Sequence, residues 1–489
     1  MSDLLNIGRT GLNASKKSLE TTGHNISNVN TEGYSRQRVN QTTNSPITKG
    51  GTVHGTGVRI KSVTRINDDF VNKRLEKAIS NGEFFEQRME RMTQVEDIFN
   101  DLDSDGLNQV INKFFNSFRE LANQPENETI RSVVRDQANL VVQDFRRIQD
   151  NLNSISSGID ENMKAEVTDI NQTLEHIANL NKKIQSLEAI HEEVGDLRDQ
   201  RDLAVRNLAK SFNVHTYQDN KGQFVVAARG VGTLVTATQV QRLQIGTSNK
   251  ENSTNGLPGS ADIFFEGKPA HLLTRKFQGG SLASLAKVRN EEIVAIKNKV
   301  DTIAYNLTKS VNAIHRRGYV NRNLDVNEQG SVSSIDSKGP TTGINFFKEP
   351  TGPGDAAINM SLSTAVQEDL TNIVTALGPN SPGDNRVSLA ISKIQHERIV
   401  GDGEGQATLE EFYLQAVGKI GLEAGKAKLD AEQADGLTAQ AVSIRERLVG
   451  VSIDEEAANM VKYQHAYQAS AKIMQTADEM FKTVIGIKR

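Results

Sequence analysis

The stretch Leu5-Asn-Ile-Gly8-Arg-Thr-Gly-Leu12-Asn-Ala-Ser15-Lys-Lys-Ser-Leu19-Glu-Thr-Thr22-Gly-His-Asn-Ile26-Ser-Asn-Val29 decides how the rest of the chain is read. Leu5, Leu12, Leu19 and Ile26 recur every seven residues, and Gly8, Ser15, Thr22 and Val29 fall three positions after them. This 3-4 alternation lines both sets along one side of an α-helix, one seam large and the other mostly small. The far end of the chain answers it. Ile453, Met460, Tyr467, Met474 and Phe481 repeat every seven residues, and Tyr463, Ser470, Ala477 and Val484 fall three residues after the last four. The two ends are therefore predicted to be helices that pair as an antiparallel, coiled-coil-like hairpin.

A long helix with an apolar stripe is most often simple core packing, and magnitude separates that reading from assembly. The two seams offer about 17 positions worth at best ~1.5–3 kcal/mol for each of the larger ones, whereas ordering about 60 residues costs ~1–2 kcal/mol apiece. An isolated terminal hairpin is expected to be marginal, and to become stable when neighbouring subunits bury its outer faces.

Further helical stretches are predicted at 68–100, 107–122, 129–155, 157–212, 281–318, 385–400 and 407–449, so most of the chain is helix. Met163, Val167, Ile170, Leu174, Ile177, Leu180, Ile184, Leu187, Val194 and Leu197 give the clearest run, within 157–212, at coiled-coil spacing. Composition shifts at 213, where short β-branched runs alternate with turn signals such as Asp-Asn-Lys-Gly as far as 279. Residues 319–384, rich in Gly, Asn, Ser and Pro, are expected to complete that outer β unit. The predicted class is mainly α with an inserted β domain. Its units are a terminal assembly domain (1–40 plus 450–489), a long helical bundle core (41–212, 280–318 and 385–449) and a small outer β-rich domain (213–279 plus 319–384).

Composition narrows the function. At 489 residues the chain is roughly three times the usual domain length, and its zero cysteines remove disulfides, thiolate metal sites and Cys nucleophiles together. Lys plus Arg (57) nearly cancels Asp plus Glu (61), leaving −4, with no global footprint for nucleic acid or for an anionic membrane. Nine prolines, no tryptophan and 5% aromatics suit long polar-faced helices better than ligand pockets. No run of 18 apolar residues and no apolar leader core occur, so neither membrane insertion nor a cleaved secretory signal is expected.

Four motifs resemble sites without completing them. Asp101-Leu-Asp103-Ser-Asp105-Gly106 matches the first half of a calcium loop, but position 12 is Asn112 where a bidentate Glu is needed, so a capped turn is expected. His191-Glu192 and His396-Glu397 have Gly195 and Val400 one helical turn after the His, which rules out zinc-peptidase chelation. Gly401-Asp-Gly403-Glu-Gly405 carries acids that would repel phosphate and reads as a linker. Gly280-Ser281 lacks the second glycine of a nucleophile elbow and reads as a helix start. No catalytic residue, metal or cofactor is expected.

The segment Asn25-Ile-Ser-Asn28-Val-Asn30-Thr31-Glu-Gly33-Tyr34-Ser35-Arg36-Gln37 resembles the N-terminal signature of the bacterial flagellar axial proteins, the rod, hook and hook-associated family. Glu32 stands where that family usually has Pro. Residues 450–481 resemble the family's closing helix. Phe114-Phe115, Leu197-Arg-Asp-Gln-Arg-Asp202, Asn312-Ala-Ile-His315 and Pro382-Gly-Asp-Asn385 are similar to its hook-associated branch.

The resemblance implies a structural protein at the hook–filament junction, exported unfolded by the flagellar type III apparatus after a transient cytoplasmic stage. Its implied partners are further copies in a homo-oligomeric ring, the hook protein, a second junction protein, and an export chaperone that covers a C-terminal face of Met460, Tyr467, Met474 and Phe481. Another axial protein of hook or rod is the nearest alternative, although a mostly β middle is expected there. A secreted cell-wall hydrolase is the alternative from a different class. It needs a cleft with paired carboxylates, whereas the carboxylates here fall on solvated helical faces.

Overall fold

The computed structural model describes residues 2–49, 52–100, 106–190, 194–247, 261–320, 325–326, 332–334, 341–401 and 406–487. Helix α1 (Ser2–Ser27) leads into a ribbon of β1 (Gln37–Thr43), β2 (Ile47–Lys49), β3 (Thr52–His54) and β4 (Val58–Arg65). β1 pairs antiparallel with β4, and β2 with β3. The sequence reading leaves 37–65 without an element, because Gln37–Thr43 holds one apolar residue, Val39, and in Val58–Arg65 a bulge between Ile60 and Ser62 interrupts the alternation begun by Val58 and Ile60. The ribbon lies on α1 through polar contacts instead: Gln41 Nε2 donates to Ser18 Oγ at 3.0 Å, and the Val58 amide to Thr10 Oγ1 at 3.3 Å.

The bundle starts with α2 (Asp69–Phe99), capped by Asp68, whose carboxylate accepts the Phe70 and Val71 amides. α3 (Leu107–Asn123) is followed by α4 (Glu128–Glu188), capped by Asn127, and by α5 (Gly195–Ser211). Two expectations are corrected here. The stretches 129–155 and 157–212 do not divide at 156: α4 runs unbroken for 61 residues, about 90 Å at 1.5 Å per residue. Its buried side chains pass from Leu152 to Ile159 without a gap in the core, so nothing stops the helix there. The break falls later, between Glu188 and Gly195.

A four-stranded antiparallel sheet follows, ordered β5 (Val214–Gln218), β6 (Phe224–Ala228), β7 (Gly232–Thr236), β8 (Gln239–Val240), with a hairpin of β9 (Leu243–Thr247) and β10 (Ala261–Phe265). Asn171 and Asn181 of α4 hold this region, Asn171 by bonding both the amide and the carbonyl of Leu243 and Asn181 by donating to Ala237 O. α6 (Gly280–Lys287) continues through a π-helical turn, 288–292, into α7 (Ile293–His315). Then come the short α8 (Thr364–Glu368), α9 (Arg386–Lys393), α10 (Leu409–Val449), which opens on a Thr408/Glu411 capping box, and α11 (Ile453–Ile487).

The segment 343–384 does not join the β5–β10 region in one unit, contrary to expectation. Its Phe346 and Phe347 pack on Phe114 of α3, and Phe346 also on Phe118, with ring centroids 5.4–5.8 Å apart. Arg131, near the start of α4, donates to the Ile373 carbonyl, whereas the β unit sits some 40 residues further along the same helix. Asn312 fixes the turn by accepting the Phe346 and Phe347 amides. The apolar content of 343–384 is spent on the bundle core.

α2 and α10 lie antiparallel, Thr438 Oγ1 donating to Ala78 O and Arg88 pairing with Glu423 at 2.8 Å. Gly280 begins a helix, and His396 closes a single 3-10 turn. The calcium-like loop at 101–105, His191-Glu192 and the loop at 402–405 lie outside the described residues. Among the described residues no helix is long and apolar enough to cross a membrane, and no cluster of three His, Cys, Asp or Glu could hold a metal ion.

Candidate functional site: the terminal pair and its anchor

α1 and α11 pack antiparallel along their length. A Cβ on Gly8 would stand 2.7 Å from Met474 Cγ, one on Gly11 would stand 2.8 Å from Ser470 Oγ, and Asn25 Nδ2 donates to Glu456 Oε2 at 3.2 Å. The small seam is the buried one: Gly8, Ser15 and Thr22 are covered, together with Ala14, Ser18, Thr21 and Asn25. Leu12, Leu19, Ile26 and Val29 are half-buried and Leu5 is exposed. On α11, Ala477 is buried, and Met460, Tyr463, Tyr467, Ser470 and Met474 are half-buried. Ile453, Phe481 and Val484 are about half exposed and take little part. Of the four residues assigned to a chaperone face, only Phe481 is open. Tyr467 and Met474 recur at the spacing of the face that packs on α1, so that face is not free in the paired state.

The signature residues form the anchor between this pair and the bundle. Asn25, 1% exposed, makes four hydrogen bonds: its Oδ1 accepts from Tyr34 Oη at 2.8 Å and from the Gln37 amide at 3.0 Å, and its Nδ2 donates to Gln37 O and Glu456. An amide side chain is needed, because only it both accepts and donates twice. His24 closes on Tyr34 edge to face, Nδ1 lying 3.0 Å from Tyr34 Oη. Burial, helped by the charges of Asp196, Asp199 and Glu456, pushes the Tyr34 phenol above its ordinary pKa, so it stays a neutral donor.

The turn itself is local. Asn28 Nδ2 donates to His24 O and its Oδ1 accepts from Thr31 Oγ1; Asn30 is exposed. Gly33 has φ +85°, a left-handed conformation that suits glycine, and a Cβ there would lie 2.9 Å from the Arg206 guanidinium. Buried Arg445 of α10 donates to the Gly33 carbonyl at 3.1 Å.

From this turn the chain grips three helices. The Ser35 amide donates to Asp199 Oδ2 of α5 at 2.9 Å, and Gln37 Nε2 to Asp196 at 2.6 Å. The Arg36 amide donates to Val449 O at the end of α10, and its guanidinium pairs with Glu455 at the start of α11. Arg65 of β4 bridges Asp199 at 2.8 Å and Asp202 at 2.6 Å, an ion triad largely out of water. Breaking such a buried pair from one side costs ~3–5 kcal/mol, since a charge is left uncompensated.

Sequence reasoning named Asn25, Asn28, Asn30, Thr31, Gly33, Tyr34, Ser35, Arg36 and Gln37, and it named Asp199, Asp202 and Glu456 only inside stretches quoted for their resemblance; it missed that Asp199, Arg445 and Glu456 bind the turn and that Arg65 joins Asp199 to Asp202. The signal was Arg198-Asp-Gln-Arg-Asp202, a dense charge block inside a core-facing helix, where Asp199 and Arg201 are buried. Charges placed there require partners.

Comparison with known proteins matches three parts of the chain. Residues 92–331 match the flagellar hook-associated protein FlgK helical domain, 448–487 the flagellar basal body rod FlgEFG protein C-terminal domain, and 5–34 the flagella basal body rod protein domain. The chain is 28% identical to flagellar hook-associated protein 1 of Bacillus subtilis, over 98% of this chain and 97% of that one. It is 24% identical to the Salmonella typhimurium protein of the same name over the full length of both. In fold it is similar to the flagellar hook junction protein FlgK of Burkholderia pseudomallei, with a TM-score of 0.63 at 14% identity, covering 78% of this chain and all of that one.

Proposed function

Because the chain belongs to the flagellar hook-associated protein 1 family, we propose that its paired termini are the element by which copies assemble, and that the anchor at 25–37 transmits load from them to the bundle. Membership makes it a structural component of the hook–filament junction, associated with other flagellar hook proteins, and not an enzyme. The finer reading is a homo-oligomeric ring. Terminal pairs line an inner tube, the α2–α10 bundle forms a second layer, and the β5–β10 unit faces outward. The hook protein abuts one side and a second junction protein the other. The chain reaches this place by type III export, and an export chaperone meets α11 before it pairs with α1.

One observation carries the reading. The terminal pair buries small and polar residues inside while Leu4, Leu5, Val461, Ile473, Met480, Phe481, Val484 and Ile485 stay open. A pair whose larger apolar side chains point outward is unfinished as a monomer and finished by neighbours.

The test uses adjacent positions. Ser15 is buried on the seam and Lys16 is exposed beside it. Ser15→Leu adds bulk to a tight contact at ~1–3 kcal/mol per copy with little change in helix propensity, and Lys16→Leu does not. Ser15→Leu is expected to be exported normally but to shed filaments under shear, with Lys16→Leu milder. Equal filament retention in the two strains overturns the reading.

A further inference from the structure

α10 is built inside out. Between Gly418 and Ala441 the face turned to the bundle carries Ile420, Ala424, Ala427, Ala434 and Ala441, all buried, whereas Leu422, Leu429 and Leu437 on the other side are 71%, 68% and 54% exposed. A helix that had finished packing in its own chain would place the leucines inside. Isolated exposed leucines need no explanation, but Leu422 and Leu429 share their face with Gly418, Gly425 and Gly436, at steps of three, four and seven residues, and Leu437 flanks it. A Cβ on any of those three glycines would meet nothing within 4 Å. Each glycine costs a helix interior ~1 kcal/mol relative to alanine. Among the described residues no contact offsets that cost, and close approach of another backbone would.

We propose that this Leu/Gly face of α10 is a lateral interface occupied by a second copy of the chain, one that forms only when the copies are already held close together, as the terminal pairs would hold them in the ring. The proposal rests on the assembly reading above, and area selects the occupant. The face from Leu414 to Leu437 is about 35 Å long and roughly 10 Å wide, about 350 Å², less than half of the ~800 Å² per partner that a stable free-standing complex buries. Such a face is too small to capture a partner from solution. It suffices where the partner is supplied at high local concentration, as in a ring of identical copies.

The chain has no cysteine, so single substitutions report cleanly. In a tandem of two full chains joined by a long flexible Gly/Ser linker, the copies sit at about millimolar local concentration, and a bismaleimide is expected to join Leu429→Cys between copies about tenfold faster than Thr93→Cys, a solvent-facing site on α2. The unlinked chain is expected to remain monomeric. Adding Leu422→Lys and Leu437→Lys should abolish the excess while far-UV circular dichroism is unchanged. Equal rates for the two cysteines, or an excess that survives both lysines, overturns the interface. Because the linker supplies proximity, the experiment does not depend on the terminal pair, so failure here is distinct from failure of the Ser15→Leu test.

Discussion

The bundle and the terminal pair use opposite materials at their contacts. At the bundle's centre Phe114, Phe115, Phe118, Phe346 and Phe347 are fully buried, with ring centroids 4.9–5.8 Å apart, and they join two segments more than 220 positions apart in sequence. Between α1 and α11 the covered residues are Gly8, Ala14, Ser15, Thr22 and Ala477, tied at one end by Asn25. Burial of large apolar surface makes the first region stable by itself. The second gains little from transfer out of water and depends on close fit and on polar bonds at the anchor. On the proposed function, stability and assembly are thereby assigned to different parts of one chain, and a junction protein must separate them if its ends are to wait for neighbours.

The separation is broken most severely from the bundle side. Phe114→Ala removes a ring that touches four others and is expected to cost ~3–5 kcal/mol, lowering the thermal midpoint of the whole bundle. Asn25→Ala strands the Tyr34 hydroxyl, the Gln37 amide and the Glu456 carboxylate, at ~1–3 kcal/mol, but only at the anchor. In hydrogen exchange it should deprotect α1 and α11 while leaving α3 and α4 unchanged. If Asn25→Ala lowers the bundle's midpoint as much as Phe114→Ala does, the two regions are one cooperative unit.

Acidity sharpens the contrast at the bundle's edge. Burial, with the Asp202 charge adding to it, pushes the Glu76 carboxyl of α2 up to about 7 from 4.5. The folded state then binds a proton that the unfolded chain has released, so this group's contribution to stability falls as pH rises from about 4.5 to 7. Buried His315 opposes it. Desolvation lowers its pKa to about 4 from 6.5, and its two nitrogens serve Ile344 O and the Val374 amide, so its contribution is lost as pH falls through that window. Glu76→Gln should therefore gain stability over the unsubstituted protein increasingly from pH 4.5 to 7, by on the order of 2–3 kcal/mol at the upper end. Urea titrations across that range check it. A difference independent of pH would mean that Glu76 is solvated and ionised throughout.

The parts legible in the sequence were those with a strong period or a complete local motif. Both terminal helices, the limits of α2, α3 and α10, and the strand content that begins after 213 fall where their patterns put them. The β1–β4 ribbon was invisible because its strands carry no unbroken apolar alternation and are held by Ser18 and Thr10 of α1, a tertiary context with no local trace. The placement of 343–384 was missed for a related reason: Gly and Pro punctuation marks a loop but not what the loop covers, and Phe346-Phe347 was read as turn-rich context. In the anchor, the signature turn was legible as a resemblance. Its pairing with Asp199 and Arg445, and that of Asp199 with Arg65, was not, because no spacing rule connects residues 134 to 412 positions apart.

The smallest effect tests the fit of the terminal seam through one substitution made twice. Gly8 and Gly23 both lie within α1, and alanine at either position gains ~1 kcal/mol of helix propensity. Their surroundings differ. A Cβ at Gly23 meets nothing within 4 Å, so the gain is kept there. At Gly8 it would come within 2.7 Å of Met474 Cγ and 3.3 Å of the Met474 backbone nitrogen. The methionine side chain can turn aside, but the backbone of α11 cannot yield without moving the helix, and overpacking of this kind costs ~1–3 kcal/mol. The two variants should shift the exchange protection of α1 amides in opposite directions, Gly23→Ala upward and Gly8→Ala downward, with the bundle unaffected in both. An increase in both would mean that α11 has room to retreat. Small residues on the seam would then reflect tolerance, and the close approach of α1 to α11 would no longer explain why Gly8, Gly11 and Ser15 stand where a stable solitary hairpin would carry leucine.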